Sequence, residues 1–263
     1  QSLPVRVETD AGPLAELAVG AQPRRFQLHL PPGASLLRLR ARLEHVSCRR
    51  SRRGGLDVGR ARRYEPAVSS PDLEALLRAP DSPDTAARVQ AWASANPLIL
   101  FDIAGAIAQD GQWPVAAVTQ AAQAASGTIL TAPPAELRAA IEPMLMGREV
   151  DQALEWVRET GLLAQVFPEL EATVHLQQET GRQHKDVWSH TKQVVKQSVR
   201  RPLVRWAALL HDIGKVPTRT FTPEGVHFHG HAEVGARMFD KVTQRLVFDR
   251  DTRRAVRFLI RHH

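Results

Sequence analysis

From Ser70 onward, the sequence is a succession of apolar segments bounded by residues that start or stop helices. Ser70-Pro71-Asp72 and Asp81-Ser82-Pro83-Asp84 place a capping side chain before a proline, which is typical of a helix N-terminus. Gly161 follows an amphipathic segment at a position typical of a helix C-terminus. Besides the helices that begin near 70 and 82, we predict helices over 98–107, 115–125, 134–145, 150–159, 186–200, 202–212, 231–246 and 250–263. The pattern therefore predicts a mainly α fold.

The first 66 residues have a different pattern. Short runs at 5–7, 14–19, 25–30 and 36–40 are separated by glycine and proline, and several alternate between apolar and polar residues. We predict a small antiparallel β module over 1–66, a helical body over 67–170 and a functional domain over 171–263. The basic stretch 49–55 is interpreted either as a solvated loop or as a nucleic-acid contact.

Composition limits the classes of protein to consider. The chain has 263 residues, a net charge of +7 and one cysteine, which excludes an internal disulfide and cysteine-rich zinc sites. A reducing cytoplasm fits this cysteine content, and the sequence has no apolar stretch of transmembrane length. The excess of arginine either attracts polyanions or reflects a compositional bias. Because the chain begins at Gln1 and ends inside a predicted helix, we expect a fragment whose last domain is truncated.

The segment with the clearest chemistry is His211-Asp212-Ile213-Gly214-Lys215, which follows the apolar run 206–210. The pattern indicates a buried helix that brings an imidazole and a carboxylate to its C-terminal end, where Gly214 lets the chain turn away. A helix-terminal pair in which the histidine caps carbonyl groups is the alternative. Lys215 and, further along, Arg219 could bind a phosphate by charge or could be solvated cations.

Other histidines are concentrated in the same region, since nine of the eleven lie between 175 and 263. Asp186 and His190 are four residues apart and share one face of a predicted helix. His227 and His229 alternate along an extended segment and point the same way, and His231 and His262-His263 follow. Imidazole and carboxylate together bind zinc, manganese, iron, nickel or magnesium. The sequence therefore predicts a divalent metal site, although packing or helix capping remains the alternative for His190 and His231.

Three stretches, 161–170, 184–191 and 205–236, resemble the HD-superfamily phosphohydrolase domain in the form attached to bacterial tRNA nucleotidyltransferases, the CCA-adding and poly(A) polymerase family. The resemblance implies a helical HD bundle, preceded here by further helices and the β module. It does not extend to the nucleotidyltransferase head, because 54–58 offers Asp57 and no second aspartate. We therefore do not expect a nucleotide-adding enzyme.

The resemblance also implies roles for individual residues. His190, His211 and Asp212 match metal ligands, whereas the last ligand, normally an aspartate, falls near or beyond the end of this chain. Relatives with two metals use a histidine that matches His231 and one from a terminal pair, His262 or His263, of which we choose His262. Asp186 matches an additional acidic ligand of some relatives. The implied catalytic residues are Asp212 and Lys215, and the implied phosphate contacts are Lys215 and Arg219.

These expectations define one leading function and two alternatives. A divalent ion lowers the pKa of a bound water toward ~7, so the expected reaction is hydrolysis of a phosphomonoester or phosphodiester in a nucleotide or RNA end, such as a 2′,3′-cyclic phosphate. The first alternative is an RNA-binding body whose HD fold is catalytically vestigial. The second is a junction of unrelated modules near residue 130. We expect a nucleotide or RNA partner, no membrane and no disulfide partner, and the sequence leaves the oligomeric state open.

Overall fold

The computed structural model describes residues 70–174, 176–180, 183–223 and 225–263, together with five strands before residue 61. The chain divides into two compact units, Gln1–Arg63 and Tyr64–His263. The fold is mainly helical, which confirms the predicted fold class. The predicted boundary between a helical body and the last domain at residue 170 stays a prediction. Helices on both sides of residue 170 contribute to one continuous hydrophobic core.

The described strands of the first unit are antiparallel. Strand β1 (Leu3–Thr9) lies between β2 (Gly12–Val19) and β3 (Leu37–Ala41), and β4 (Val46–Arg50) pairs with β5 (Leu56–Arg60). This pairing agrees with the predicted β module. The predicted strand at 25–30 and most of the basic stretch, 51–55, lie outside the described residues.

The helices before residue 172 follow the predicted starts and stops closely. Ser82 caps its helix by accepting a hydrogen bond from the Thr85 amide at 3.3 Å, and Gly161, at the predicted helix C-terminus, has a left-handed conformation with φ 78°. Pro168 begins a short helix, since proline suits a first helical position. The elements are α1 (Ser70–Leu77), α2 (Pro83–Ala95), α3 (Ile99–Asp110), α4 (Ala116–Ala125), a 3-10 helix (Ser126–Thr131), α5 (Pro134–Leu145), α6 (Val150–Glu159), α7 (Leu162–Val166) and α8 (Pro168–Glu171).

The rest of the chain combines four further helices of two or more turns with two hairpins in its described part. The first hairpin was not predicted, and the predicted helices at 186–200 and 202–212 end a few residues early. The elements are β6 (Gln177–Thr180), β7 (Gln183–Asp186), α9 (Val187–Gln197), α10 (Pro202–Leu210), the single turn α11 (Lys215–Thr218), β8 (Thr220–Thr222), β9 (Gly225–His227), α12 (His231–Leu246) and α13 (Arg250–Arg261).

An aromatic cluster fixes α10, the helix that leads to the His-Asp pair. The ring of Trp206 is fully buried, 6.2 Å from that of Phe167 and 5.1 Å from that of Phe248. Its Nε1 donates to Glu142 Oε1 at 3.3 Å, so the indole also has its polar group satisfied. Within the described ranges, no helix combines the length and apolar character that crossing a bilayer requires.

A buried arginine ties α10 to two other helices. Arg205 is 2% exposed and donates to the carbonyls of Leu145, the last residue of α5, and Lys196, near the end of α9. Burial, with the nearby charge of Arg200, lowers the pKa of Arg205 from its usual range. Arg205 thereby satisfies carbonyl groups that helix ends leave without intrahelical partners.

Candidate metal centre

Asp212 lies at the centre of the site. Helix α10 ends at Leu210, so the next two residues, His211 and Asp212, fall at its C-terminal end, and Asp212 is only 2% exposed. Lys215 Nζ is 2.7 Å from Asp212 Oδ2, and His211 Nε2 is 3.1 Å from the same oxygen. Burial opposes ionisation of Asp212, but hydrogen bonds from His211, in the form of its ring that carries hydrogen on both nitrogens, and from the Lys215 ammonium outweigh it and hold its pKa well below the usual range. The carboxylate is therefore charged at neutral pH.

The first group of ligating atoms surrounds Oδ2 of Asp212. His190 Nε2 lies 3.9 Å from Oδ2, and the ring of His190 meets that of His211 edge-on with centroids 5.6 Å apart. One ligating atom from each of His190, His211 and Asp212 lies within 4.8 Å of the other two. The structure thus brings together the three residues that matched metal ligands.

The helix that carries His190 is held in place by a carboxylate of α6. Glu155 Oε2 accepts hydrogen bonds from Trp188 Nε1 at 3.1 Å and from Lys192 Nζ, while Arg158 Nε donates to Oε1 at 2.7 Å. Burial opposes ionisation of Glu155, but these donors lower its pKa to about 2. Because Trp188 and Lys192 flank His190 on α9, this contact restricts the position of the His190 ring.

A second group surrounds the other oxygen of the same carboxylate. Asp212 Oδ1 lies 3.7 Å from His231 Nε2 and 3.8 Å from His263 Nε2, and these two nitrogens are 3.2 Å apart. Helix α12 begins at His231, and His263 follows the end of α13. The two oxygens of the Asp212 carboxylate therefore face two different pairs of histidines, His190 and His211 at Oδ2 and His231 and His263 at Oδ1.

The backbone orients three of the four rings. Nδ1 lies 2.8 Å from the Ala208 carbonyl in His211, 2.8 Å from the Phe228 carbonyl in His231 and 2.7 Å from the Ile260 carbonyl in His263. In each case the acceptor belongs to the residue three positions earlier. A carbonyl only accepts hydrogen bonds, so each Nδ1 must carry a hydrogen, and the lone pair of each neutral ring is then on Nε2.

Because both Nδ1 atoms carry hydrogens, the Nε2 atoms of His231 and His263 can lie close together only with a cation between them. With both Nδ1 atoms protonated, two Nε2 lone pairs face each other across 3.2 Å, a contact that only a further proton or a metal ion makes favourable. Two nitrogens bound to one tetrahedral zinc ion at about 2.05 Å are separated by roughly 3.3 Å. Burial, reinforced by His211 and His231, lowers the pKa of His263 against the opposing influence of Ile260 and Asp212, which favours the neutral, ligating ring. The cluster therefore fits a divalent metal site.

Gly214 sets the distance between the His-Asp turn and α12. The sequence suggested that this glycine lets the chain turn away, but its backbone is ordinary right-handed helical, with φ −71° and ψ −13°. A Cβ at this position would lie 2.0 Å from the His231 carbonyl oxygen and 2.5 Å from the Gly235 amide nitrogen. The glycine is thus required by close backbone approach, which places His231 beside Asp212.

The remaining predicted residues have the following positions. His262, the predicted ligand of the terminal pair, is absent from the ligand groups of the described residues, which include His263 instead: the His262 ring packs on Phe258, with centroids 4.5 Å apart. Asp186 caps α9 by accepting from the Ser189 amide at 2.9 Å, and it is absent from the ligand groups found among the described residues. The Arg219 guanidinium lies over the ring of Phe221, at 4.5 Å.

His227 and His229 stack in parallel, with centroids 5.4 Å apart and rings inclined by 7°. Neither belongs to the ligand groups of the described part of the chain. The role of Lys215 and Arg219 as phosphate contacts stays a prediction.

Comparison with known families finds a match for the last third of the chain. Residues 174–263, which include every histidine of both groups, match the family described as "HD domain". This segment is therefore similar to HD domains. Both the helix end that carries His211 and Asp212 and the start of α12 lie inside it.

Curated relatives that this chain is similar to include tRNA nucleotidyltransferases. The chain is 36% identical over 127 residues to the CC-adding tRNA nucleotidyltransferase of Thermus thermophilus, which covers 46% of this chain and 29% of the relative. It is 34% identical over 117 residues to the A-adding tRNA nucleotidyltransferase of Deinococcus radiodurans, covering 42% of this chain and 27% of the relative. A Multifunctional CCA protein of Dechloromonas aromatica is 32% identical over 124 residues, covering 45% and 29%. The chain thus spans less than a third of the length of these relatives.

Proposed function

We propose that the HD domain hydrolyses a phosphomonoester or phosphodiester bond in a nucleotide or at an RNA end. The observation that carries the proposal is the arrangement of four histidine Nε2 atoms around both oxygens of one buried, charged carboxylate. The proposed ligands of the divalent ion are His190, His211, Asp212, His231 and His263. When bound, the ion would supply Lewis acidity and an activated water.

The residues of the chain have distinct parts in this proposal. Asp212 remains ionised and contributes negative charge to both groups of ligands. Lys215 Nζ lies between Asp212 Oδ2, at 2.7 Å, and the face of the Phe228 ring, at 5.6 Å from its centroid. An ammonium has three donors, so Lys215 can donate to Asp212 and to a phosphoryl oxygen at the same time. Arg219, one helical turn further on, adds a second positive charge for a phosphate.

An RNA end is the favoured substrate class, and a 2′,3′-cyclic phosphate is one candidate. The relatives are named for activity on tRNA, and the net charge of +7 suits a polyanionic partner. The same two observations also support the second candidate, an RNA-binding body in which the HD fold has no catalytic role. The two candidates differ in whether metal-dependent hydrolysis occurs.

A substrate panel tests the proposal directly. The chain is stripped with a chelator, dialysed and reloaded separately with magnesium, manganese, nickel, iron or zinc. Each form is assayed with bis(4-nitrophenyl) phosphate, a nucleoside 2′-phosphate and nucleoside 2′,3′-cyclic phosphates, and bound metal is measured by elemental analysis. We expect hydrolysis of at least one phosphate substrate in a metal-loaded form. An RNA-binding body without catalysis would bind RNA and hydrolyse none of the panel with any ion.

The decisive variant is Asp212→Ala, because it removes the one carboxylate that both ligand groups share. It should abolish hydrolysis and strongly reduce bound metal, with the helical circular dichroism retained. Asp84→Ala, an exposed carboxylate near the start of α2, is the matched control and should behave as wild type. Wild-type turnover by Asp212→Ala at equal metal occupancy would contradict the proposed role.

A further inference from the structure

The hairpin of β8 and β9 is inserted directly between residues of the metal centre. Lys215 lies just before it at the start of α11, and His231 lies just after it at the start of α12. The carbonyl of Phe228, which follows β9, accepts the hydrogen bond of His231 Nδ1. Both ends of the hairpin are therefore fixed at the metal centre.

The two faces of this hairpin have different chemistry. Phe221 pairs with Val226 across the strands and is 71% exposed, although it is a large aromatic residue. The Arg219 guanidinium stacks over its ring at 4.5 Å, as expected for residues two apart on an extended segment. On the opposite face, His227 is paired with Thr220 and its Nε2 lies 3.0 Å from Thr222 Oγ1. We call the first of these the Arg219–Phe221 face.

The Arg219–Phe221 face continues toward the site of proposed chemistry. The single turn α11 separates Arg219 from Lys215, a rise of about 6 Å. Lys215 in turn contacts Asp212 Oδ2 at 2.7 Å and lies over the ring of Phe228. Lys215 at the central carboxylate and Arg219 at the exposed ring are thus one helical turn apart along the chain.

An exposed aromatic ring beneath a guanidinium is the surface that proteins use to stack unpaired bases. Single exposed apolar residues are common and need no explanation, but here an arginine lies over the ring, and Lys215, the proposed phosphate contact, is one helical turn before that arginine. A guanidinium can stack through its planar face while its N–H groups donate to phosphate. Base–aromatic stacking tolerates any base, because every base has a π-face.

We propose that the Arg219–Phe221 face stacks a nucleobase of a single-stranded RNA whose terminal phosphate lies at the metal centre. The inference rests on the proposed function for the position of the phosphate. It predicts that Phe221 determines affinity for a substrate with bases and that it has no part in bond cleavage.

The test is a binding measurement that does not depend on hydrolysis. A short single-stranded oligoadenylate with 2-aminopurine as its last base is titrated with the full chain in the presence of a chelator. Stacking quenches 2-aminopurine, so wild type should quench its fluorescence on binding. Phe221→Ala should raise Kd about 5- to 100-fold and remove the quenching. Phe221→Trp should retain both, and His229→Ala on the opposite face should leave both unchanged.

The outcomes separate this inference from the proposed function. Quenching that disappears in Phe221→Ala, together with a wild type that hydrolyses no phosphate, would support the stacking face and contradict the hydrolase. Metal-dependent hydrolysis by wild type, with equal Kd and quenching in Phe221→Ala, would overturn the stacking face alone. An abasic oligonucleotide that binds wild type as tightly as the oligoadenylate would also overturn it.

Discussion

Replacing Gly214 by alanine tests whether close backbone approach assembles the metal centre. The added Cβ would lie 2.0 Å from the His231 carbonyl oxygen and 2.5 Å from the Gly235 amide nitrogen, whereas ordinary contact begins at 3.4 Å. Both neighbours are backbone atoms, so no side-chain rotation relieves the overlap. The start of α12 must therefore retreat by about 1 Å or more, and such overpacking costs roughly 1–3 kcal/mol.

That displacement exceeds what a metal site tolerates. Ligand distances must be correct to within about 0.2 Å, and His231 moves with α12. We expect Gly214→Ala to lower the melting temperature by about 3–10 °C and to weaken metal binding by about 10–100-fold, comparable with the loss of an orienting contact. Thermal unfolding and calorimetric metal titration measure the two effects.

Gly127→Ala is the matched control, because a Cβ at Gly127 would meet nothing within 4 Å. It should leave both the melting temperature and the metal affinity unchanged. If Gly214→Ala bound metal as tightly as wild type, the approach of the two backbones would not be what positions His231.

Three further outcomes are expected. His263→Ala should reduce bound metal and hydrolysis, whereas His262→Ala should leave both near wild type; equal losses in the two variants would contradict the observed geometry. Glu155 has a folded pKa of about 2, below its ordinary value of 4.5, so its stabilisation is present above pH 4.5 and is lost as the pH falls toward 2. Glu155→Gln should therefore cost about 2 kcal/mol at neutral pH and flatten this acid dependence, as measured by urea unfolding. Lys215→Met should slow turnover at unchanged metal content, and loss of metal would assign Lys215 to the ligand shell instead.

The helices were predictable because their signals are local. A capping side chain before proline and a glycine after the last apolar position act within one turn, so the sequence alone indicated most boundaries of α2 to α6. The hairpin of β6 and β7 was missed because its strands, Gln177–Thr180 and Gln183–Asp186, are polar throughout. Such strands lack the alternation of apolar and polar residues that predicts a half-buried strand.

The predicted site was incomplete where geometry is not local. Helix α13 ends at Arg261, and His262 leaves the helical conformation with φ −121° and ψ 23°. The direction of the next ring is therefore not set by helical spacing, and a hydrogen bond to Ile260 brings His263 rather than His262 to Asp212. The reason for Gly214 was hidden in the same way, since its partners are 17 and 21 positions later in the chain.

The hydrogen bonds from histidine Nδ1 to carbonyls three residues earlier affect which mutations near the site would disturb its geometry. Where a metal-binding ring is oriented by another side chain, a mutation of that partner misdirects the ring. Here the acceptors at Ala208, Phe228 and Ile260 are main-chain atoms, which every amino acid possesses. The residues around His211, His231 and His263 can therefore diverge in sequence while the three rings keep their orientation, provided that the local backbone is preserved.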